Sequence, residues 1–156
     1  MSHGAPKSKT LATWIALLGG SFGLHRFYLY GFRDIWGWLF AVPTLLGFYG
    51  VRRMGDLDMD DRPAWLLTPL LGAMLAATML TAIVYGLTPD DVWDRRHNPA
   101  AASPPSGWTA ILGVVAALAL GATALMATIA FSAQRLFELQ AATPPPAQTE
   151  PAAARR

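Results

Sequence analysis

Gly19-Gly20-Ser21-Phe22-Gly23-Leu24-His25-Arg26-Phe27-Tyr28-Leu29-Tyr30-Gly31 decides how the rest of the chain is read. Glycines, a His-Arg pair and aromatics stand in that order between two apolar runs. The run from Leu11 to Leu24 covers 14 residues. At about 1.5 Å per residue it reaches roughly 21 Å, short of a hydrocarbon core of about 30 Å. It crosses a bilayer only if the helix continues through His25-Arg26 to Tyr30. Arg26 would then snorkel outward and the tyrosines would sit in the interfacial belt. A re-entrant segment is the other reading.

The composition around this stretch is that of a polytopic membrane protein. The chain is 53% hydrophobic and 14% charged, against about 25% charged in soluble domains. The charges are also confined to short stretches between long uncharged ones. A net charge of +2 spread over connecting segments gives no case for nucleic-acid binding. The absence of cysteine removes disulfides, thiolate metal sites and a cysteine nucleophile. Lys7 and Lys9 precede the first apolar run, but Gly19-Gly20 leads into His25-Arg26 and not into a small-residue cleavage site. The run therefore reads as a retained helix, not a cleaved signal peptide.

The fold expected is all-α, with four antiparallel transmembrane helices over about 11–30, 35–52, 65–87 and 108–133. Residues 1–10 form a polar arm and 11–53 a helical hairpin. Residues 54–64 form an acidic loop, and 65–133 a second helix pair with a polar loop at 88–106. Residues 134–156 form an amphipathic extension and a Pro/Ala-rich, disordered tail. The short Gly31–Asp34 connection makes the first two helices antiparallel neighbours, and Pro43 should kink the second. With four spans the N-arm, second connection and tail share one side. They hold Lys7, Lys9, Arg52, Arg53, Arg62, Arg135, Arg155 and Arg156, against Arg26, Arg33, Arg95 and Arg96 opposite. Eight against four puts both termini in the cytoplasm.

Gly20, Gly23, His25, Arg26, Phe27, Tyr28, Leu29 and Gly31 resemble the signature of the TM-two domain family. That family is a two-helix membrane hairpin common in bacteria and found also in animals. The resemblance covers about residues 7–53. It departs from the family at Tyr30, inserted before the usual glycine, and at Gly47-Phe48-Tyr49-Gly50, where a Trp-x-x-Asp pattern often stands. It implies a multi-pass protein of a bacterial inner membrane, and it implies no particular biochemical activity. Family topology is commonly drawn with the His/Asp-Arg-Phe turn facing the cytoplasm, opposite to the charge count above.

His25 and Arg26 are the leading site candidates, because an ionisable pair just inside a membrane face is costly and needs a partner. Arg26 can pair with Asp34 across the turn as a hairpin lock. It can also hold a lipid phosphate or a protein partner. Gly19, Gly20 and Gly23 permit close helix approach, as does the four-residue spacing of Gly113, Ala117 and Gly121. Asp56-x-Asp58-x-Asp60-Asp61 lacks the Gly and Glu of a calcium loop, having Asp61 and Leu67 in those places, and reads as solvated. His3, His25 and His97 are too dispersed for a metal site. Thr68, Thr78, Thr81 and Thr123 should bond their own helix backbones.

No catalytic, cofactor-binding or metal-binding motif stands out. The function expected is a non-enzymatic scaffold or accessory subunit in the lipid bilayer, with a membrane-protein partner or a second copy of the chain. A small oligomeric channel or transporter lined by Gly19, Gly20 and the threonines is the alternative. A lipid-directed enzyme with His25 as base is a third class.

Overall fold

A computed structural model describes residues 6–57, 61–100 and 103–142. The described residues are helical: α1 (Lys9–Gly19), a 3-10 turn (Gly20–Phe22), α2 (Leu24–Tyr30), α3 (Ile35–Leu57), α4 (Arg62–Leu87), α5 (Asp90–His97) and α6 (Trp108–Ala142). Of these, α4 and α6 are long and apolar enough to cross a membrane.

Helices α4 and α6 form the axis of the bundle. They run antiparallel, with Gly72 against Thr128, Gly121 against Met79 and Gly86 against Val114. Helix α3 buries Gly37, Thr44, Gly47 and Gly50 and little else, Gly47 and Gly50 against α4, Gly37 and Thr44 against the hairpin. A Cβ on Gly47 would lie 2.3 Å from the Leu71 backbone nitrogen, so α3 and α4 meet backbone to backbone. Helix α3 continues unbroken through Pro43, and α4 through Pro69.

The stretch expected as one helix over 11–30 is two. Lys9 starts beside Thr88 at the C-terminal end of α4. The chain descends to Gly20, which meets Thr78 midway along α4. It then turns, and α2 climbs back until Leu29 packs on Trp93. The reversal is made by Gly23 in the left-handed region, φ 76°, a conformation that glycine adopts without cost. Two helices of 11 and 7 residues give about 16 and 10 Å. Neither spans a hydrocarbon core. The stretch expected as one long helix is therefore a helix–turn–helix whose two arms lie side by side.

The ends of the bundle follow from that. Lys7, the Gly31–Asp34 connection, α5 and the start of α6 gather at one end. Asp61, the start of α4 and the end of α6 lie at the other, where Arg135 stacks on Trp65. The 88–106 segment is not a plain loop, since it carries α5, whose Trp93 is 1% exposed. Helix α3 runs on past Arg52-Arg53 into the expected acidic loop, and α6 past Ala133 to Ala142. The tail from 143 onward, Met1–Ala5 and residues 58–60 lie outside the described residues.

Candidate functional site

The polar groups of the described chain concentrate at the end where the hairpin enters and leaves. Arg26 Nε donates to Asp34 Oδ2 at 2.6 Å across the turn between α2 and α3, and the Arg26 guanidinium lies 5.1 Å from the Tyr30 ring. Arg26 and the N–H groups of Trp36 and Gly37 hold the Asp34 carboxyl below its ordinary pKa.

His25 does not share in this lock. Its ring is 1% exposed and sits edge-on to Phe40 at 5.3 Å and Tyr85 at 5.9 Å, against Gly20. Its Nδ1 is buried without a hydrogen-bond partner among the described residues. The sequence places His25 and Arg26 side by side, but the helix sends them to different surroundings. Arg26 reaches the connection to α3 and His25 points into the apolar seam.

A second cluster, with no precedent in the sequence reading, ties the segment before α1 to α5. The backbone N–H of Lys7 donates to Asn98 Oδ1 at 2.7 Å. Asn98 Nδ2 and Trp93 Nε1 donate back to the Lys7 carbonyl at 3.1 and 2.8 Å. Lys7 Nζ donates to the Leu29 carbonyl, one of the orphan acceptors at the end of α2. Lys9, 7% exposed, does the same for α4, donating to the Thr88 carbonyl and pairing with Asp90, each at 2.7 Å. The Lys9 ammonium and the Ser106 hydroxyl and N–H hold the Asp90 carboxyl down at about 2. Asp94, bonded by Asn98 and Ser103, is also lowered. Lysines at helix C-termini and Asp90-Asp91 in the first turn of α5 both match the helix dipole.

Gly19 and Gly20 are buried at the hairpin tip, and a Cβ on Gly20 would lie 2.9 Å from Thr78 Cβ. A Cβ on Gly23 would lie 2.1 Å from the Gly37 carbonyl oxygen. Thr44 Oγ1 donates to the Ser21 carbonyl at 2.6 Å, satisfying a backbone acceptor of the turn. Gly113, Ala117 and Gly121 face inward, onto Thr13, the core around Ala16 and Met79 respectively. Thr78, Thr81 and Thr123 bond their own helix backbones, whereas Thr68 Oγ1 is buried without a partner. Asp61 is not a free acid. It caps α4 through the Ala64 N–H and pairs with Arg53 at 2.5 Å. Among the described residues no group of histidines and acids is placed to hold a metal ion.

Compared with protein-family models, curated proteins and solved structures, the chain finds no match.

Proposed function

We propose that this is a multi-pass membrane protein in which α3, α4 and α6 cross the bilayer and the α1–α2 hairpin enters and leaves by one face. It acts without catalysis, as a scaffold or accessory subunit working through helix and lipid contacts. The observation that carries this is the apolar surface on every side of the bundle. Leu18 and Leu66 are each 79% exposed, and Trp36, Leu45, Leu80, Leu118 and Met126 are all more than half exposed. A water-soluble monomer does not carry apolar surface on that scale. Helix α3 has no charge from Ile35 to Val51 and begins with Trp36 and Trp38, fit for the interfacial belt. The Gly-x-His-Arg-Phe-Tyr motif supports kinship of the hairpin with the TM-two domain.

Three crossings change the charge count. Lys7, Lys9, Arg26, Arg33, Arg95 and Arg96 now share one end, against Arg52, Arg53, Arg62 and Arg135 at the other. Leaving aside Arg155 and Arg156 at the end of the tail, which would even the count, six against four near the helix ends favours the hairpin end in the cytoplasm. That agrees with the topology usually drawn for the TM-two domain, and it leaves the end of α6 on the opposite side. The enclosure of His25 between Phe40 and Tyr85 favours a packed hairpin over a pore or an enzyme site.

Because the chain lacks cysteine, single cysteines at Ser8, Ser21, Gly55 and Gly107 can be probed with a membrane-impermeant maleimide. Ser8→Cys and Gly107→Cys should react from the same side, Gly55→Cys from the other, and Ser21→Cys from neither. Reaction of Ser8→Cys and Gly107→Cys from opposite sides would restore the spanning first helix and sink this topology. Reaction at Ser21→Cys would reveal water at the hairpin tip and favour the channel.

A further inference from the structure

The far end of the bundle carries a groove that the hairpin does not touch. It lies between the first turns of α4 and the last turns of α6, with a volume of about 600 Å³. Leu66, Pro69, Leu136 and Leu139 form its apolar length, and Arg62 and Arg135 stand at its mouth. The Arg135 guanidinium lies over the Trp65 ring, 4.6 Å from its centroid, and pairs with Glu138. Its Nε, also buried, has no acceptor among the described residues. Arg62 is exposed, with no ion-pair partner among the described residues, because Asp61 is taken by Arg53 and Glu138 by Arg135. Among the described residues the groove mouth therefore has two guanidinium groups and one carboxylate.

We propose that this groove seats an anionic phospholipid, its phosphate on the Arg62 guanidinium and an acyl chain along Leu66, Pro69 and Leu136. The inference rests on the membrane reading above and names the lipid chemistry of one site within it. Two features of the groove select this occupant. An apolar trough about 10 Å long, from Arg62 to Pro69 at about 1.5 Å per residue, suits a hydrocarbon chain. The exposed Arg62 guanidinium beside Trp65, where a headgroup would lie, suits a phosphate of net negative charge. A soluble phosphate would gain nothing from the trough. An apolar helix of a partner protein would leave Arg62 uncompensated.

The test uses the full chain, purified in dodecyl maltoside, stripped of lipid and offered equal amounts of dioleoylphosphatidylglycerol and dioleoylphosphatidylcholine. Retained lipid is counted by native mass spectrometry. The wild type should retain phosphatidylglycerol in preference to phosphatidylcholine. Arg62→Gln should lower phosphatidylglycerol affinity about fivefold, and Arg62→Lys should recover most of it. Leu136→Trp, which fills the trough, should lose both lipids, and Arg33→Gln, at the other end of the bundle, should lose neither. Circular dichroism confirms that each variant is folded. Equal retention of the two lipids, or an Arg62→Gln protein that holds phosphatidylglycerol as the wild type does, overturns the proposal. Displacement of the lipid by millimolar inorganic phosphate also overturns it, showing a site for free phosphate. Release of the protein from membranes by alkaline carbonate would instead overturn the membrane reading, a separate result.

Discussion

Replacing Gly23 by alanine tests the reversal on which the hairpin depends. Two costs can be worked out from the structure. Gly23 has φ 76° and ψ 11°, a left-handed conformation that costs an L-residue with a Cβ about 1–2 kcal/mol. The new methyl would also sit 2.1 Å from the Gly37 carbonyl oxygen and 2.9 Å from Gly37 Cα. Carbon–oxygen contacts close no further than about 3.3 Å, so the turn and α3 must part by about 1 Å. The obstacle is backbone, which has no rotamer to change, and overpacking of this kind costs about 1–3 kcal/mol. Together the substitution should lose about 2–5 kcal/mol. The assay is equilibrium unfolding in dodecyl maltoside titrated with sodium dodecyl sulfate, followed by circular dichroism. Gly55→Ala is the control, since Gly55 is helical with nothing within 4 Å of its Cβ position. It should be neutral or slightly stabilising, because alanine is the better helix former. A loss at Gly23 below about 1 kcal/mol would refute the reasoning, since strain in a left-handed residue alone exceeds that.

Three further outcomes are expected. Trp93→Ala should lose about 3–5 kcal/mol by emptying the site between Leu29, Tyr85 and Ala12. Limited proteolysis should then cut near Lys7 and Lys9, whereas Trp93→Phe, which keeps most of the packing, should stay resistant. Acid should weaken the α5 cluster. Asp90 is depressed to about 2, so its contribution is complete above the ordinary carboxylate pKa near 3.8 and is lost as pH falls through about 2. Thermal unfolding between pH 5 and 2 should show this loss, and Asp90→Asn should flatten it. His25→Phe should hold or raise the melting temperature, because it removes a buried Nδ1 that has no partner, a group whose burial costs about 1–3 kcal/mol. A fall of several degrees would show that the imidazole bonds something in the native protein.

The long helices were legible because nothing but helix satisfies an apolar stretch of twenty or more residues. The segregation of charge located α4 and α6 to within a few residues at their apolar ends. The hairpin was only half legible. An apolar run with glycines fits either one helix or two, and the choice lies in the φ of Gly23, which packs against the Gly37 backbone. Helix α5 was missed because Asp90, Asp91, Asp94, Arg95 and Arg96 gave the look of solvated loop. The signal present was the order of those charges, acids first and bases last around one tryptophan. The His25-Arg26 pair was legible as a pair and misleading as a unit, since neighbours in sequence on a helix point about 100° apart.

The hairpin reaches only to the level of Thr78. In one half of the bundle's height five helices lie side by side, and in the other half only α3, α4 and α6 do. Set in a bilayer, such a body takes up more area in one leaflet than in the other. It is a wedge, and a wedge has a preferred curvature. Its energy depends on the shape of the surface around it, so the protein should collect where the leaflet holding the hairpin bulges outward.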